Sequence, residues 1–468
     1  MVDFSLAVDL IFVLAAAFVG GSLAVVFRQP VIAGYLVGGL IFGPQALGLI
    51  HESADIHTLA EIGIILLMFT LGLESSLPQL KSHSRILALG VAIQLVALTL
   101  TGLIFAPIFG WGTGQALFFG LMLAFSSTAV AIKALLAKGE LDSTHGKLAT
   151  SWLILEDLMI LPTLIVLSSL GGQNLVLDLG TGLLKAALFL LIALFVGVRF
   201  APKLLGQIAA SGSREIFILA SIILALGVAF LTNQFGLSFA MGGYLAGIVL
   251  SDSQFREQVF ADVKSVRDLF AVLFFVSMGM LVGPLFIVQN IFPAILVLLI
   301  MSVVKIVIIT AWIYKFGYHL RTASLSGAAL IQVGEFSFVI ATLGVSKGFI
   351  DASQYQLILT VAIISLILTP FYVRQAPRVY RFLRELVFAR LPQWQHLFFT
   401  GHATEHSSPG VELSNHIVVI GYGRVGRYLS HALMSAKVPH VISDLDPKRL
   451  IEPQSRGIAT VYGDASEE

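Results

Sequence analysis

No cysteine occurs in the 468 residues, which excludes disulfides and thiolate metal sites and leaves the redox compartment undetermined. Charge is scarce as well: Asp, Glu, Lys and Arg make up 12% of the chain, against about 25% in a soluble globule. Hydrophobic residues take their place at 57%, with a mean hydropathy of +0.93. Such a composition excludes a soluble globule and defines an integral membrane protein. The net charge of +1 gives no pointer to nucleic acid or to an acidic substrate, because in a membrane protein the distribution of charge carries the information. No Lys or Arg precedes Arg28, only Asp3 and Asp9. The start therefore lacks the basic n-region of a cleavable signal peptide and reads as a first transmembrane helix.

Windows of about 20 apolar residues give thirteen candidate spans. They lie near 5–27, 30–50, 58–74, 85–109, 115–137, 146–170, 180–202, 214–232, 236–251, 264–283, 290–316, 322–346 and 354–374. Basic residues alternate between the loops. Arg28, Lys81, Arg85, Lys138, Lys147, Arg199, Lys203, Arg214, Arg256, Lys264, Arg267, Lys315 and Arg321 fall on one side, and the loops around His51, Gly112, Gly172, Asn233, Gln289 and Lys347 carry almost none. The positive-inside rule then places the N-terminus outside and the C-terminal segment in the cytoplasm of a multi-pass protein of the plasma (inner) membrane.

An internal repeat runs through these spans. Gly34-Tyr35-Leu36-Val37-Gly38 recurs as Gly243-Tyr244-Leu245-Ala246-Gly247, and the segment ending at Gly72 recurs as the one ending at Gly279, an offset of 207. Spans one to six echo spans eight to thirteen, and an odd number of spans separates each helix from its counterpart. The copies must therefore run in opposite directions, an inverted repeat whose substrate site belongs near the midplane where broken helices meet. The candidate breaks are Phe125-Ser126-Ser127-Thr128 in the fifth span and Gln332-Val333-Gly334-Glu335 in the twelfth. Hydroxyls and glycine there release backbone groups that can coordinate a cation or stabilise buried charge. Ordinary Ser/Thr packing between membrane helices is the alternative.

In the sixth span Glu156 and Asp157 lie side by side in an otherwise apolar run, with Pro162 one turn later. A charged side chain at the bilayer centre costs roughly 2.5–3.5 kcal/mol on insertion scales, so two neighbours need an offsetting use. Adjacent helical residues point about 100° apart, so one acid can face a cavity while the other faces a partner helix. A neutral, hydrogen-bonded acid pair inside a bundle is the competing reading. The pair has no acidic counterpart in the second half, where Ile364-Ser365 falls opposite. Lys305, alone in the apolar run from Ile291 to Ile313, is the candidate compensating cation, unless a tilted helix lets it reach the interface.

These residues together resemble the monovalent cation:proton antiporter-2 family, especially Kef-type potassium/proton antiporters. The resemblance rests on Gly34-Tyr35-Leu36, Ser126-Ser127-Thr128-Ala129-Val130, the acid pair, Phe274 to Met280, and Gln332-Val333-Gly334-Glu335-Phe336, in order over nearly the whole chain. It implies an all-α polytopic fold of thirteen helices in two inverted repeats with crossed broken helices, a homodimer, and elevator-like alternating access. It further implies that Asp157 binds the cation or the proton, that Thr128 and Ser127 belong to the first unwound segment, and that Lys305 can pair with Glu156. Gln332, Gly334 and Glu335 support the second break. Where the familiar Kef proteins have Gln before the aspartate, this chain has Glu156, closer to the two-acid pattern of electrogenic sodium/proton antiporters. Potassium and sodium both remain open as the exchanged ion.

From Arg374 the composition shifts. Arg374, Arg378, Arg381, Arg384 and Arg390 alternate with apolar residues and read as a basic amphipathic helix on the cytoplasmic leaflet or the transport core, or as a plain solvated connector. Residues 401–410 form a polar linker. Ile417-Val418-Val419-Ile420 then reads as a buried strand, followed by Gly421-Tyr422-Gly423-Arg424-Val425-Gly426 opening a helix, a second strand, and Asp444, 23 residues after Gly421. In that order these are the parts of a dinucleotide turn, with the acid placed for a ribose hydroxyl. With Gly463-Asp464-Ala465 the pattern resembles the nucleotide-binding half of RCK-like domains that regulate potassium channels and transporters.

The expected organisation is a transmembrane exchanger at 1–375, a connector at 376–412 and a partial, truncated α/β Rossmann-like domain at 413–468. The chain is read as a monovalent cation:proton antiporter and as no enzyme. Transport itself needs no cofactor, and an adenine nucleotide of NAD or AMP type is the expected regulatory ligand. Potassium or sodium ions, protons, the bilayer, a second copy and an ancillary regulatory subunit are the expected partners. A potassium channel would need a Thr-Val-Gly-Tyr-Gly filter, which is absent, and a membrane dehydrogenase would need a second soluble domain to hold its substrate.

Overall fold

The computed structural model describes residues 5–50, 54–74, 85–141, 143–168, 170, 184, 199–210, 212–235, 238–390, 415–444, 447–462 and 465. The helices in chain order are α1 (Ser5–Val26), α2 (Val31–Phe42), α3 (Ala54–Glu74), α4 (Arg85–Phe105), α5 (Thr113–Ala124), α6 (Thr128–Lys138), α7 (Thr144–Ser168), α8 (Arg214–Gln234), α9 (Phe239–Ser251), α10 (Arg256–Met280), α11 (Pro284–Lys315), α12 (Leu320–Ala328), α13 (Phe336–Ser346) and α14 (Ala352–Arg390). Each expected span except the seventh coincides with a described helix, whole or broken. The seventh, near 180–202, the linker at 401–410 and most of Gly463-Asp464-Ala465 lie outside the described residues. Six of the described helices, α1, α4, α7, α8, α11 and α14, are long and apolar enough to cross a membrane, as is the broken α5–α6 span taken together, and α2, α9 and α13 are shorter apolar helices. The chain is a multi-pass membrane protein with the expected all-α antiporter fold.

The chain divides into two compact units. The first comprises residues 1–130, 151–304 and 331–370, and the second comprises 131–150, 305–330 and 371–468. Within the first, the repeat is visible as reciprocal packing. Helix α2 meets α10 and its counterpart α9 meets α3, while α1 packs on α2 as α8 packs on α9. These contacts are backbone against backbone. A Cβ at Gly39 would strike the Val276 carbonyl oxygen, one at Gly279 the Leu36 carbonyl, and one at Gly247 the Phe69 carbonyl. Lipid tails are as apolar as Leu, so membrane helices gain little by burying apolar area against each other. Small residues that allow close approach supply the dispersion contacts instead.

The second unit contains the soluble α/β part. Strands β1 (Ile417–Ile420), β2 (His440–Asp444) and β3 (Ala459–Tyr462) form a parallel sheet in the order β1-β2-β3, with α15 (Arg424–Ser435) and α16 (Pro447–Ser455) as crossovers. Val419, Tyr422, Ile442, Leu450 and Ile458 make its small core.

One boundary differs from the sequence reading. Helix α14 does not stop near residue 375 but runs unbroken to Arg390, carrying Pro370 and Pro377 inside it. The basic stretch continues the last span in helical form.

Candidate functional site

Both breaks occur where polar residues interrupt the apolar runs. Helix α5 ends at Ala124, Phe125 is extended (φ −82°, ψ 136°), and helical geometry resumes at Thr128. In the second half α12 ends at Ala328 and α13 begins at Phe336. The two breaks touch. The Gly334 amide donates to the Phe125 carbonyl at 2.9 Å, Gln332 Nε2 donates to the Ser127 carbonyl at 3.2 Å, and the Ser337 hydroxyl donates to the Met122 carbonyl. A Cβ at residue 334 would stand 2.5 Å from the Ser126 carbonyl oxygen, so glycine is what lets the chains cross. Phe125 and Phe336 pack edge to face with ring centres 5.8 Å apart and keep the crossing dry on that side.

Helix α7 brings the acid pair to this crossing, and the two acids take different partners. Glu156 is fully buried. Its Oε2 accepts from the Ser126 amide at 2.6 Å, and its Oε1 accepts from Gln94 Nε2 at 2.7 Å and from the Ser126 hydroxyl at 3.2 Å. Asp157 accepts from the Thr128 hydroxyl at 3.0 and 3.2 Å through its two oxygens. The Tyr244 hydroxyl donates to its backbone carbonyl at 3.4 Å. Thr128 is the first residue of α6, so its hydroxyl and the positive end of that half-helix both face the Asp157 carboxyl. Glu335 stands half-buried at the N-cap of α13, with the Ser127 hydroxyl on its carboxyl and its Oε2 otherwise without a hydrogen-bond partner. The crossing thus gathers carboxyl and hydroxyl oxygens around two half-helix ends, a donor set suited to a dehydrated monovalent cation or to a proton, though not to both at once.

Three further residues complete this cluster, two of which the sequence reading does not single out. Gln94, in α4, bridges Glu156 and the Ala124 carbonyl (2.8 Å) and accepts from Trp152 Nε1 at 2.8 Å. Its signal was available, since it is the one amide in the apolar run from Arg85 to Phe105. Ser365 accepts from the Val333 amide at 3.0 Å. Glu335, expected as support for the second break, stands at that break with the Ser127 hydroxyl on its carboxyl. Lys305 is fully buried in α11 and belongs to the second compact unit. In the first unit, a cavity of about 310 Å³ lined by Glu61, Ser168, Asn233, Ser238, Thr342 and Lys347 lies among α3, α7 to α9 and α13.

In the α/β part Gly421 has φ +89°, left-handed backbone that favours glycine. A Cβ at Gly426 would overlap the Gly421 carbonyl oxygen. Gly423 caps α15 with no side chain on the first amides. Asp444 Oδ2 accepts from the Tyr422 amide at 2.5 Å, and Arg449 Nη1 stands 3.7 Å away. A bare helix N-terminus behind a glycine turn, with an acid at the end of β2, fits a nucleotide whose phosphate would meet the Gly421 to Gly426 turn.

Two crossed broken helices holding a buried acid pair inside an inverted repeat define the chain as a cation/proton antiporter of the secondary-transporter class. A model of the transmembrane sodium/hydrogen exchanger family matches residues 13–375, so the chain belongs to that family, and a TrkA-N domain model matches residues 417–468. It is 35% identical over 465 residues to the putative cation/proton antiporter YbaL of Escherichia coli K12, covering 97% of this chain and 82% of that one. It is 32% identical over 448 residues to the putative K(+) efflux antiporter KefB of Alkalimonas amylolytica, covering 94% of this chain and 66% of that one. The Kef-type resemblance holds, and these relatives are described as transporters, not enzymes. In fold the chain is similar to the sodium proton antiporter MjNhaP1 of Methanocaldococcus jannaschii, with a TM-score of 0.56 over 85% of this chain and 99% of that one. At 16% identity this speaks for the fold alone.

Proposed function

We propose that the chain exchanges potassium for protons by alternating access, with Asp157 holding either the proton or the dehydrated cation. Thr128, Ser127 and freed backbone carbonyls complete the site, and Gln332, Gly334 and Glu335 hold the second break against it. The observation that carries this reading is the Thr128 hydroxyl on both Asp157 oxygens where the half-helix begins. Glu156 pairs with Lys305 when no cation is bound, since a lone buried charge of either sign is costly. If both acids release protons for one cation, exchange is electrogenic, the reading favoured by the acid pair; if Asp157 alone cycles, it is electroneutral. Sodium is the competing substrate, supported by the name of the structural neighbour and by the acid at 156.

The division is an exchanger at 1–375, a connector at 376–412 and a nucleotide-binding part at 413–468. In the inner membrane the N-terminus lies outside and the nucleotide part in the cytoplasm. A homodimer, with or without an ancillary subunit, transports, and an adenine nucleotide at Gly421, Gly423, Gly426 and Asp444 gates it. The ligand can gate only through different affinities for the inhibited and active arrangements. Dequenching of a pH dye in proteoliposomes, scanned across potassium, sodium and lithium, tests the assignment. Potassium-driven dequenching that exceeds sodium-driven supports it, the reverse order selects sodium, and no cation-driven proton movement overturns exchange altogether.

A further inference from the structure

Two lysines outside the acid cluster make the same contact at corresponding half-helix ends in the two repeats, and the exchange reaction as described gives neither a role. Lys138 is the last residue of α6, the half-helix after the first break. Lys347 caps α13, the half-helix after the second. Their separation of 209 residues is one or two more than the offsets of 207 and 208 that the repeat shows at Ser126 and at Glu156, so the lysines stand at corresponding half-helix ends and not at strictly matched positions. Lys138 Nζ donates to the Val373 carbonyl at 3.1 Å, and Lys347 Nζ donates to the Ser168 carbonyl at 2.6 Å. The exchange is reciprocal. The lysine of the first broken span reaches α14, the helix that follows the second, and the lysine of the second reaches α7, the helix that follows the first.

The first acceptor lacks a helical amide. Four residues after Val373 stands Pro377, which has no N–H to give. Ser168 is the last described residue of α7. An ammonium bonded to a backbone carbonyl forms a charge-assisted hydrogen bond and here meets the negative end of its own half-helix as well. Lys138 is further held by Glu140 at 2.8 Å. Both half-helices are 11 residues long, and the end opposite each lysine is the break. One begins at Thr128, which holds Asp157, and the other begins just after Glu335.

We propose that Lys138 and Lys347 are positioning residues for ion exchange, a repeat-related pair of clasps that fix each half-helix along its axis and so set where Thr128 and Glu335 stand at the crossing. The proposal rests on the reading of Asp157 as the ion carrier, so Asp157→Asn is measured alongside. In proteoliposomes containing the full chain, Lys138→Met and Lys347→Met should each raise the apparent KM for the cation about tenfold, the scale of losing one hydrogen bond to a charged group. Each should also move the pH profile of exchange, with maximal rate and folded amount changing less.

Pro377→Ala restores an amide four residues after Val373 without tying α6 to α14. The double variant Lys138→Met/Pro377→Ala should therefore keep the raised KM even where it regains stability. Lysine variants present in normal amount with wild-type KM and pH profile would overturn the clasps, as would a return of Lys138→Met/Pro377→Ala to the wild-type KM, which would show that the lysine only satisfies an orphan carbonyl. If Lys138→Met does not accumulate, recovery of amount with the KM still raised in the double variant supports the proposal and recovery of both overturns it; if neither accumulates, Lys347→Met decides by the same KM and pH profile. An inactive Asp157→Asn beside unaffected lysine variants removes the clasps alone, whereas an active Asp157→Asn removes the ion-carrier reading beneath them.

Discussion

In the first repeat the amide freed at Ser126 is taken by a carboxylate, Glu156 Oε2 at 2.6 Å, and in the second the amide freed at Val333 is taken by a hydroxyl, Ser365 Oγ at 3.0 Å. The repeat places Ser126 opposite Val333 and the acid pair opposite Ile364-Ser365, so the two contacts are counterparts. Breaking a helix inside a membrane leaves amides that must find acceptors, and a neutral hydroxyl meets that need in the second half. The first half meets it with a group that can lose a proton, and sets beside it another, Asp157, that caps no backbone amide among the contacts described. Charge at this crossing therefore exceeds what the broken helix requires, and the excess is concentrated in one repeat. That asymmetry separates structure from function in the site: the second repeat shows how much polar chemistry the break alone demands.

The strongest way to break the comparison is to remove the excess charge. Asp157→Asn keeps the volume and a hydrogen-bonding oxygen for Thr128 but removes the titratable group. Cation-driven proton movement should fall to background while the purified protein keeps its oligomeric state and melting temperature. Near wild-type exchange from this variant would show that the cation and proton are held elsewhere.

Next in size is Gly334→Ala. The added methyl meets the Ser126 carbonyl at a separation that no relaxed structure tolerates, and backbone on both sides of the crossing leaves little room to yield. Overpacking of this kind costs about 1–3 kcal/mol. The melting temperature should fall and exchange with it, and a variant with unchanged stability would mean that the crossing is looser than the Gly334–Phe125 hydrogen bond indicates.

Glu156→Gln and Ser365→Ala sharpen the comparison, because only the first should alter the potential dependence of transport. Gln at 156 keeps an acceptor for the Ser126 amide but sets a donor against Gln94 Nε2 and removes the charge proposed to pair with Lys305, so stability should fall, by about 1–3 kcal/mol. If Glu156 cycles a proton, the response of transport to an imposed membrane potential should weaken. Ala at 365 leaves the Val333 amide buried without its partner, a loss of about 1–3 kcal/mol, while the potential dependence stays as it was. Thermal melts and potential-jump transport on the same two proteins would check both halves of this statement.

How far the sequence reaches follows from which interactions are local. The breaks were legible because hydroxyls and glycine interrupt apolar runs at repeat-related positions, and the acid pair because charge is so rare in such runs. The whole-chain fold followed from span length and the odd spacing of the repeat. The Ser127 hydroxyl on the Glu335 carboxyl was not legible, because the crossing alone joins residues so far apart in the chain. Gln94 was missed for a different reason: its lone amide in α4 was visible, but nothing in the sequence indicates which helix that amide faces. The continuation of α14 through Pro370 and Pro377 ran against the rule that proline ends a helix. It becomes understandable once Lys138 is seen supplying the hydrogen that Pro377 cannot.

The smallest expected effect on transport, and the largest on its control, lies in the α/β part. Because α14 is one helix to Arg390, a cut after Arg390 keeps the last span and its basic extension whole, whereas a cut near residue 385 would leave a frayed end. The shortened chain should insert and exchange ions at close to the full-length rate, and addition of adenine nucleotide should no longer change that rate. Gly426→Ala tests the same point without deletion. Its methyl would overlap the Gly421 carbonyl oxygen and push α15 off the turn, so the first amides of the helix could no longer converge on a phosphate. Nucleotide binding to the full-length variant, followed by titration calorimetry, should be lost together with the nucleotide response while basal exchange persists. If instead either change abolishes all transport from a correctly inserted protein, the α/β part belongs to the exchange machinery itself, and the division of labour between the acid-bearing crossing and the glycine turn has to be redrawn.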